Sequence, residues 1–420
     1  MTRLDDVVAS ASVESEEADA TPSDIVDLRD SADEGPVIKL VNQIIAQAVE
    51  QGASDIHLAP DGTQLRVRFR VDGVLAEAAT VPKRMVNGVI SRVKIMSDLD
   101  IAEKRMPQDG RVGLTIDDRH VDLRVVTLPS VHGEGAVMRI LDKSSVVMEL
   151  EKLGMLEVES TRFRRAFQQA YGAVLVTGPT GSGKSTSLYA ALGELNTPEK
   201  NIITIEDPVE YELLGVTQVQ VNNRAGLSFA TGLRSMMRAD PDVIMVGEIR
   251  DPETAQIAIQ AALTGHLVLS TVHANNVFDV IGRFTHMEVD PYSFVSALTG
   301  VLAQRLVRLN CRHCSEAVTI AAPALCASNI EQHATEGRTL TAGRGCGLCR
   351  GTGYKGRRAV GELLTLDDTL RELIVARAPV RQIKDAARRN GTRMLRDVAV
   401  DLFLQGHTTL DEVNRVTLVA

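Results

Sequence analysis

From Pro36 onward, apolar residues recur at the spacing of one helix face. In "VIKLVNQIIAQAVEQG", Val37, Leu40, Ile44, Ile45 and Val49 fall together, and Gly52 supplies a stop. The period then drops to two. In "LRVRFRVDGVL", Leu65, Val67, Phe69 and Val71 alternate with Arg66, Arg68 and Arg70, which predicts a half-buried strand entering a hairpin at Asp72-Gly73. "MVNGVISRVKIMSDLD" returns to helical spacing, and "HVDLRVVTLP" and "GAVMRILD" read as two more strands, carrying Arg124 and Arg139. Residues 36–145 are therefore expected to form a small α+β unit, with a linker over 146–155.

Further along, short apolar runs alternate with helical stretches: "AVLVT", "IITI", "VIMV" and "LVLSTV". This pattern predicts an α/β domain with a mostly parallel sheet over 156–310. A cysteine-bearing insert over 311–356 follows, and the region 357–420 is expected to be helical. Pro379 and Gly391 are breaks there, and Thr409 to Glu412 forms a capping box. There is no internal repeat.

With 420 residues and 44% hydrophobic content the chain can bury more than one core. No apolar run approaches the roughly 18 residues that span a bilayer, and the beginning is acidic rather than a basic leader, so a cytoplasmic protein is expected. The formal charge of −9 has a location. Residues 1–34 hold 11 Asp/Glu against Arg3 and Arg29, whereas the remainder balances 44 basic with 44 acidic residues. An acidic disordered leader is thus predicted over 1–35. The neutral remainder argues against a broad nucleic-acid surface, which needs a clustered cationic excess.

The chemistry begins after "AVLVT". Gly178, Gly181, Gly183, Lys184 and Ser185 match G-x-x-x-x-G-K-[ST] between a predicted strand and a predicted helix. Glycines let backbone N–H groups turn inward on phosphates, Lys184 can reach the β/γ oxygens, and Ser185 can ligate Mg²⁺. The whole segment, from Gly178 through Pro179, Thr180, Gly181, Ser182 and Gly183 to Thr186, is the predicted nucleotide-binding loop. Acidic and polar residues close the later strands. Glu206, Asp207 and Glu210 follow "IITI", and one of them can hold a magnesium-bound water. Glu248 follows "VIMVG" and is expected to position or deprotonate the attacking water. Ser270, Thr271 and His273 end the next strand as candidate γ-phosphate donors, and His266 precedes it. No N-K-x-D tetrapeptide occurs, which favours ATP over GTP.

Cys311, Cys314, Cys346 and Cys349 form two C-x2-C pairs, enough for a closed tetrahedral thiolate site, and structural Zn²⁺ is the favoured occupant. An iron–sulfur cluster uses similar ligands, and spacing alone does not separate the two. Cys326 is left over.

"GPTGSGKST", "IEDPVEY", "RADPDVIMVGEIRDPETAQIAIQAALTGHLVLSTVHANN" and "GVLAQRLVR", with "GASDIHL", "RFRVDG" and "AEKRMPQDGR" before them, resemble the type II secretion and type IV pilus assembly ATPases. The resemblance implies a RecA-like ATPase domain preceded by a smaller PAS-like α+β domain. It also implies a homo-hexamer held peripherally at the inner membrane by platform proteins, where ATP turnover powers pilin or pseudopilin polymerisation. By position it assigns Lys184 and Ser185 to the Walker A loop and Glu206, Asp207 and Glu210 to the aspartate box. Glu248 falls in the Walker B segment, and His266 and His273 in the histidine box. Arg124 and Arg139 match arginines that swing over the nucleotide; Arg234, Arg238, Arg250 and Arg283 are further candidates for subunit contacts or phosphate sensing. The four-cysteine insert favours assembly over retraction. A nucleic-acid-translocating motor would need a basic channel, and an inactive scaffold would not need the complete set of phosphate, acid and histidine elements.

Overall fold

The alternating stretch around Arg66 lies inside a six-stranded antiparallel sheet. Residues 35–116, 119–142 and 149–418 are described by the computed structural model, so the predicted leader falls outside them apart from Gly35. The chain folds as two units, 1–146 and 147–420.

In the first unit, α1 (Pro36–Glu50) opens with a proline at a position that needs no N–H donor. It is followed by β1 (Ala53–Pro60), β2 (Gln64–Val71), β3 (Val74–Pro82), α2 (Lys83–Met96), β4 (Gln108–Ile116), β5 (Arg119–Ser130) and β6 (Gly133–Asp142). Asp72 and Gly73 both take positive φ, as the tight β2–β3 hairpin requires. The strand order is β3-β2-β1-β6-β5-β4. Leu40, Ile44 and Ile45 of α1 and Val89 of α2 are buried with Leu65, Val67 and Phe69 in one core. Pairing registers set Arg70, Asp55, Arg139, Arg124 and Arg111 side by side across five strands. Asp55 takes Arg139 Nε at 3.2 Å and Arg70 Nε at 3.5 Å.

The second unit starts with a short 3-10 turn, Leu150–Leu153, and α3 (Glu157–Phe167). Leu150, placed by the sequence pattern in a linker, is fully buried in this unit's core. Then come β7 (Gly172–Thr177), α4 (Lys184–Leu195), β8 (Ile202–Glu206), β9 (Thr217–Gln220), α5 (Phe229–Met236), β10 (Val243–Val246), α6 (Pro252–Leu263) and β11 (Leu267–Val272). α7 (Val277–His286), α8 (Pro291–Ala297) and the long β12 (Leu298–Asn310) complete the central region. The sheet order is β15-β12-β7-β11-β10-β8-β9, parallel throughout except for the antiparallel pair of β12 with β15 (Tyr354–Leu364). Successive residues feed two cores. Ala173, Leu175, Ile244 and Val246 enter one, while Val174, Val176, Val243 and Met245 enter the other. Both faces are covered, which is why these strands read as unbroken apolar runs.

Between β12 and β15 lies the cysteine segment, with β13 (Ser315–Ala317) paired to β14 (Thr341–Gly343) and a short α9 (Ala322–Ala327). Four helices, α10 (Asp368–Val375), α11 (Val380–Arg389), α12 (Leu395–Leu404) and α13 (Leu410–Val416), end the described chain. Thr409 caps α13 by accepting the Glu412 N–H at 3.2 Å, but the reciprocal half of the predicted capping box is not made, because the Glu412 carboxylate is taken by Arg308 and Arg415. The helical end begins later than position 357, because residues 354–364 form a strand of the main sheet. Its partner β12 also has no clear period, since Gln304 and Arg308 interrupt it with polar groups whose partners are distant in sequence.

Glu362 on β15 is 3% exposed and accepts the backbone N–H of Val277 and of Leu395, both at 3.0 Å. It therefore caps the first turns of α7 and α12 together. Burial raises its carboxyl pKa. Glu362→Ala strips both helices of their acceptor and should lower the stability of unfolding by about 2–4 kcal/mol, read from a shifted urea midpoint. Glu362→Gln keeps an acceptor oxygen and should lose less; equal losses would mean that capping is not what the carboxylate contributes.

Candidate functional site

β7 lies between parallel neighbours β11 and β12, so the loop at its carboxyl end is approached from both sides. Gly178 and Gly183 take positive φ at the two ends of that loop. A Cβ on Gly178 would lie 2.5 Å from the Gln304 carbonyl oxygen, and one on Gly183 would lie 2.8 Å from Gln304 Nε2. The glycines are thus required by conformation and by packing. No side chain caps α4, so its first N–H groups remain available at the loop. Lys184 Nζ donates to the Gly178 and Pro179 carbonyls at 2.9 and 3.1 Å. Burial pulls its ammonium below the ordinary lysine value, and the nearby Glu248 carboxylate opposes that shift. Ser185 is exposed, Thr186 half-buried and Ser182 buried, while Pro179, Thr180 and Gly181 are exposed along the loop.

Glu248 follows β10 with its side chain only 14% exposed. It pairs with Arg250 and meets His273 Nε2 at 3.3 Å. The Glu248 hydrogen bond holds Arg250 above its ordinary value, and Asp207 adds to it. Asp207 is exposed, and together with Glu248 it brackets one guanidinium. The structure therefore gathers Lys184, Glu248, His273, Arg250 and Asp207 where β7, β8, β10 and β11 end.

Ser270 and Thr271, expected as phosphate donors, are committed elsewhere. Their hydroxyls each donate at 2.7 Å to β10-side carbonyls, of Val246 and Gly247 respectively, and both are buried. These bonds hold the Glu248 turn against the His273 strand. Glu206 is also buried, accepting from Tyr189 Oη, from Thr204 Oγ1 at 2.6 Å and from Gln218 Nε2 at 3.1 Å. Burial and the Glu206 bond push the Tyr189 phenol well above its ordinary value. Glu210 is half-buried in the β8–β9 connection, its backbone beside Tyr189.

His266 is not brought to this cluster. It precedes β11, its carbonyl accepts the Gly172 N–H at the start of β7, and its Nδ1 donates to Ala261 O at 3.0 Å. Six strand residues, about 20 Å at the usual rise, separate that edge from the phosphate loop. Arg124 and Arg139 belong to the first unit, where they are direct neighbours on β5 and β6.

The four paired cysteines do converge, with one sulfur from each within 4.8 Å of the others. Cys311–Cys346 and Cys314–Cys349 sulfurs are 3.9 and 3.7 Å apart, and Cys346–Cys349 3.7 Å. A tetrahedral ion with bonds of about 2.3 Å to sulfur needs sulfurs about 3.8 Å apart, so this donor set fits zinc. Burial opposes ionisation of Cys349, but N–H groups of Cys346 and Gly353 aimed at its sulfur bring the thiol down to about 6. Cys326 is exposed and outside the cluster.

Several residues that organise the site carried no motif. Thr177 Oγ1 shares its one proton between Val272 O and Ala274 O and accepts the Ala274 N–H, at 2.8–2.9 Å, tying the His273 loop to the phosphate loop. Gln304 and Arg305 stand beside the loop on β12; Arg305 donates to Gln304 O at 3.0 Å and Asn275 O at 2.8 Å. The available signal was a polar pair inside the apolar run "GVLAQRLV".

The family model described as type II/IV secretion system protein matches residues 30–415. The type II secretion system ATPase E of Vibrio cholerae is 48% identical over 391 residues, covering 93% of this chain and 77% of that protein. The type IV pilus assembly ATPase PilB of Thermus thermophilus is 50% identical over 381 residues, covering 91% of this chain but 43% of PilB, so the chain spans less than half of that relative. Among solved structures, the pilus retraction motor PilT with bound ADP aligns with a TM-score of 0.59 and 27% identity, covering 90% of this chain and 96% of that one.

Thr177→Val keeps the side-chain shape while removing the acceptor of the Ala274 N–H and the donor to two carbonyls. Stability should fall by about 1–3 kcal/mol in urea unfolding, the cost of stranding buried polar groups. An unchanged midpoint would show that these bonds do not hold the two loops together.

Proposed function

The chain belongs to the type II/IV secretion system protein family, and from that membership we propose that it hydrolyses ATP as a hexameric motor powering pseudopilus or pilus assembly. In this reading the second unit is the RecA-like ATPase domain and the first a PAS-like domain. The observation that carries it is the meeting of Lys184, Glu248 and His273 beyond neighbouring parallel strands, with a glycine loop and an uncapped helix start between them.

ATP is the substrate, its phosphates held by the loop from Gly178 to Thr186. Ser185 would hold Mg²⁺, which would neutralise phosphate charge. Lys184 exchanges its two loop carbonyls for β/γ oxygens. Glu248 orients the attacking water and accepts its proton, steadied by His273 and Arg250. Asp207, just past the end of β8, would help to hold Mg²⁺. Glu206, buried and accepting from three donors, acts by fixing Tyr189 and the acidic segment. Arg124 and Arg139, neighbours on the first unit's sheet, are the arginines assigned to neutralising phosphate charge, whereas His266, at the opposite end of β11 from the phosphate loop, takes no step in its own subunit's site. Such a motor works in the cytoplasm, at inner-membrane platform proteins; among the described residues no helix is long and apolar enough to cross a membrane.

Lys184→Ala should abolish ATP turnover with the fold intact by circular dichroism, and turnover within a few-fold of wild type would sink this reading. Glu248→Gln should retain ATP binding and lose at least about 100-fold in kcat, in line with loss of a general base. If that variant no longer bound ATP, Glu248 would belong to the binding machinery instead.

The cysteine cluster we assign to one structural Zn²⁺ held by Cys311, Cys314, Cys346 and Cys349, with no open position for chemistry. Elemental analysis should give one zinc per chain, and Cys346→Ser should lose it and expose 311–356 to protease. Wild-type protein free of metal with a protease-resistant insert would refute the assignment.

A further inference from the structure

Gln304 occupies a place that the catalytic scheme leaves unexplained. β12 runs parallel to β7 with Ala303 opposite Thr177, so Gln304 stands one residue beyond the end of β7, against the phosphate loop. It is 1% exposed. Its side chain makes two contacts at once: Nε2 donates to Ser182 O at 2.8 Å, and Oε1 accepts from Ser187 Oγ at 2.7 Å. Its backbone carbonyl and its Nε2 are the atoms that fill the space a side chain would need at Gly178 and Gly183. One residue therefore touches the start of the loop, its last turn and the first turn of α4.

We propose that Gln304 is the positioning residue of the phosphate loop, setting nucleotide affinity without touching nucleotide. The proposal rests on reading 178–185 as the phosphate-binding segment. The physical link is the planar trans peptide between Ser182 and Gly183, whose C=O and N–H point in opposite directions. Drawing Ser182 O toward β12 turns the Gly183 N–H away from β12, where a phosphate oxygen can accept it. Without the amide, the glycines would leave that peptide free to rotate, since they impose little conformational restraint of their own. A primary amide carries both the donor for the carbonyl and the acceptor for the hydroxyl; a carboxylate would set its charge against the Ser182 oxygen, and a thioether would make neither bond.

The test uses the full chain and measures ADP binding by calorimetry, ATP kinetics, and unfolding without nucleotide. Gln304→Met, close in volume, should weaken ADP binding about tenfold and raise KM for ATP more than it lowers kcat at saturation. ADP affinity within twofold of wild type would overturn the proposal, whatever happens to the melting temperature. Should Gln304→Met fail to fold, Ser187→Ala removes one end of the strut and should still weaken ADP about threefold; unchanged affinity there counts against the idea equally. Combining both substitutions should cost no more than Gln304→Met alone, because the amide acts as a unit, and additive losses would show two unrelated contacts. Lys184→Ala is the reference. If it bound ADP like wild type, the phosphate-loop reading itself would fall and take this proposal with it, whereas loss of binding there with normal binding by Gln304→Met rejects only the role of Gln304.

Discussion

A loop with glycine at its bends cannot hold its own shape, and the phosphate-loop end of the second unit depends on how that problem is solved. Gly178 and Gly183 are needed for their positive φ and for the close approach of β12. The same residues remove the side chains that would otherwise order the turn, so order is supplied from the flanking strands. Thr177 binds the loop to the end of β11 on one side, and Gln304 binds it to β12 on the other. Both bonds exist because β7 lies between two parallel neighbours. An edge strand would offer only one such support.

The same logic of buried polar groups extends outward from the loop. Arg305 shares the Gln304 carbonyl and reaches Asn275, just before α7, while Glu362 caps α7 and α12 together. Farther along β12, Arg308 pairs with the fully buried Glu412 of α13 at 2.7 Å and stacks over Tyr354 at 4.0 Å. Breaking such a buried pair on one side costs far more than it returns, so the C-terminal helices are locked to the sheet that carries the phosphate loop.

The cysteine segment is held differently. Leu325, Ile330 and Leu340 anchor its middle in a core of the second unit, while its two ends meet where four sulfurs are drawn together, with backbone N–H groups of Cys346 and Gly353 aimed at Cys349. It joins β12 to β15, two strands that support the loop and the helices, so a rigid clasp between them also fixes their antiparallel register.

What the sequence determined by itself was local. Periodicity located the first unit's α1 and the β2–β3 hairpin, continuous apolar runs located the inner parallel strands, and motif spacing located the phosphate loop and the paired cysteines, because each depends on residues near one another in the chain. Tertiary structure decided everything that depends on strand order. It paired β12 with β7 and so gave Gln304 its purpose; it placed Glu248 against His273; it turned Ser270 and Thr271 from candidate donors to phosphate into lacing between strands. It also left His266 at the far edge, although only the six residues of β11 lie between it and His273. In a parallel sheet the two ends of one strand face opposite sides of the domain, and no local pattern records which end a neighbouring strand brings to the same side.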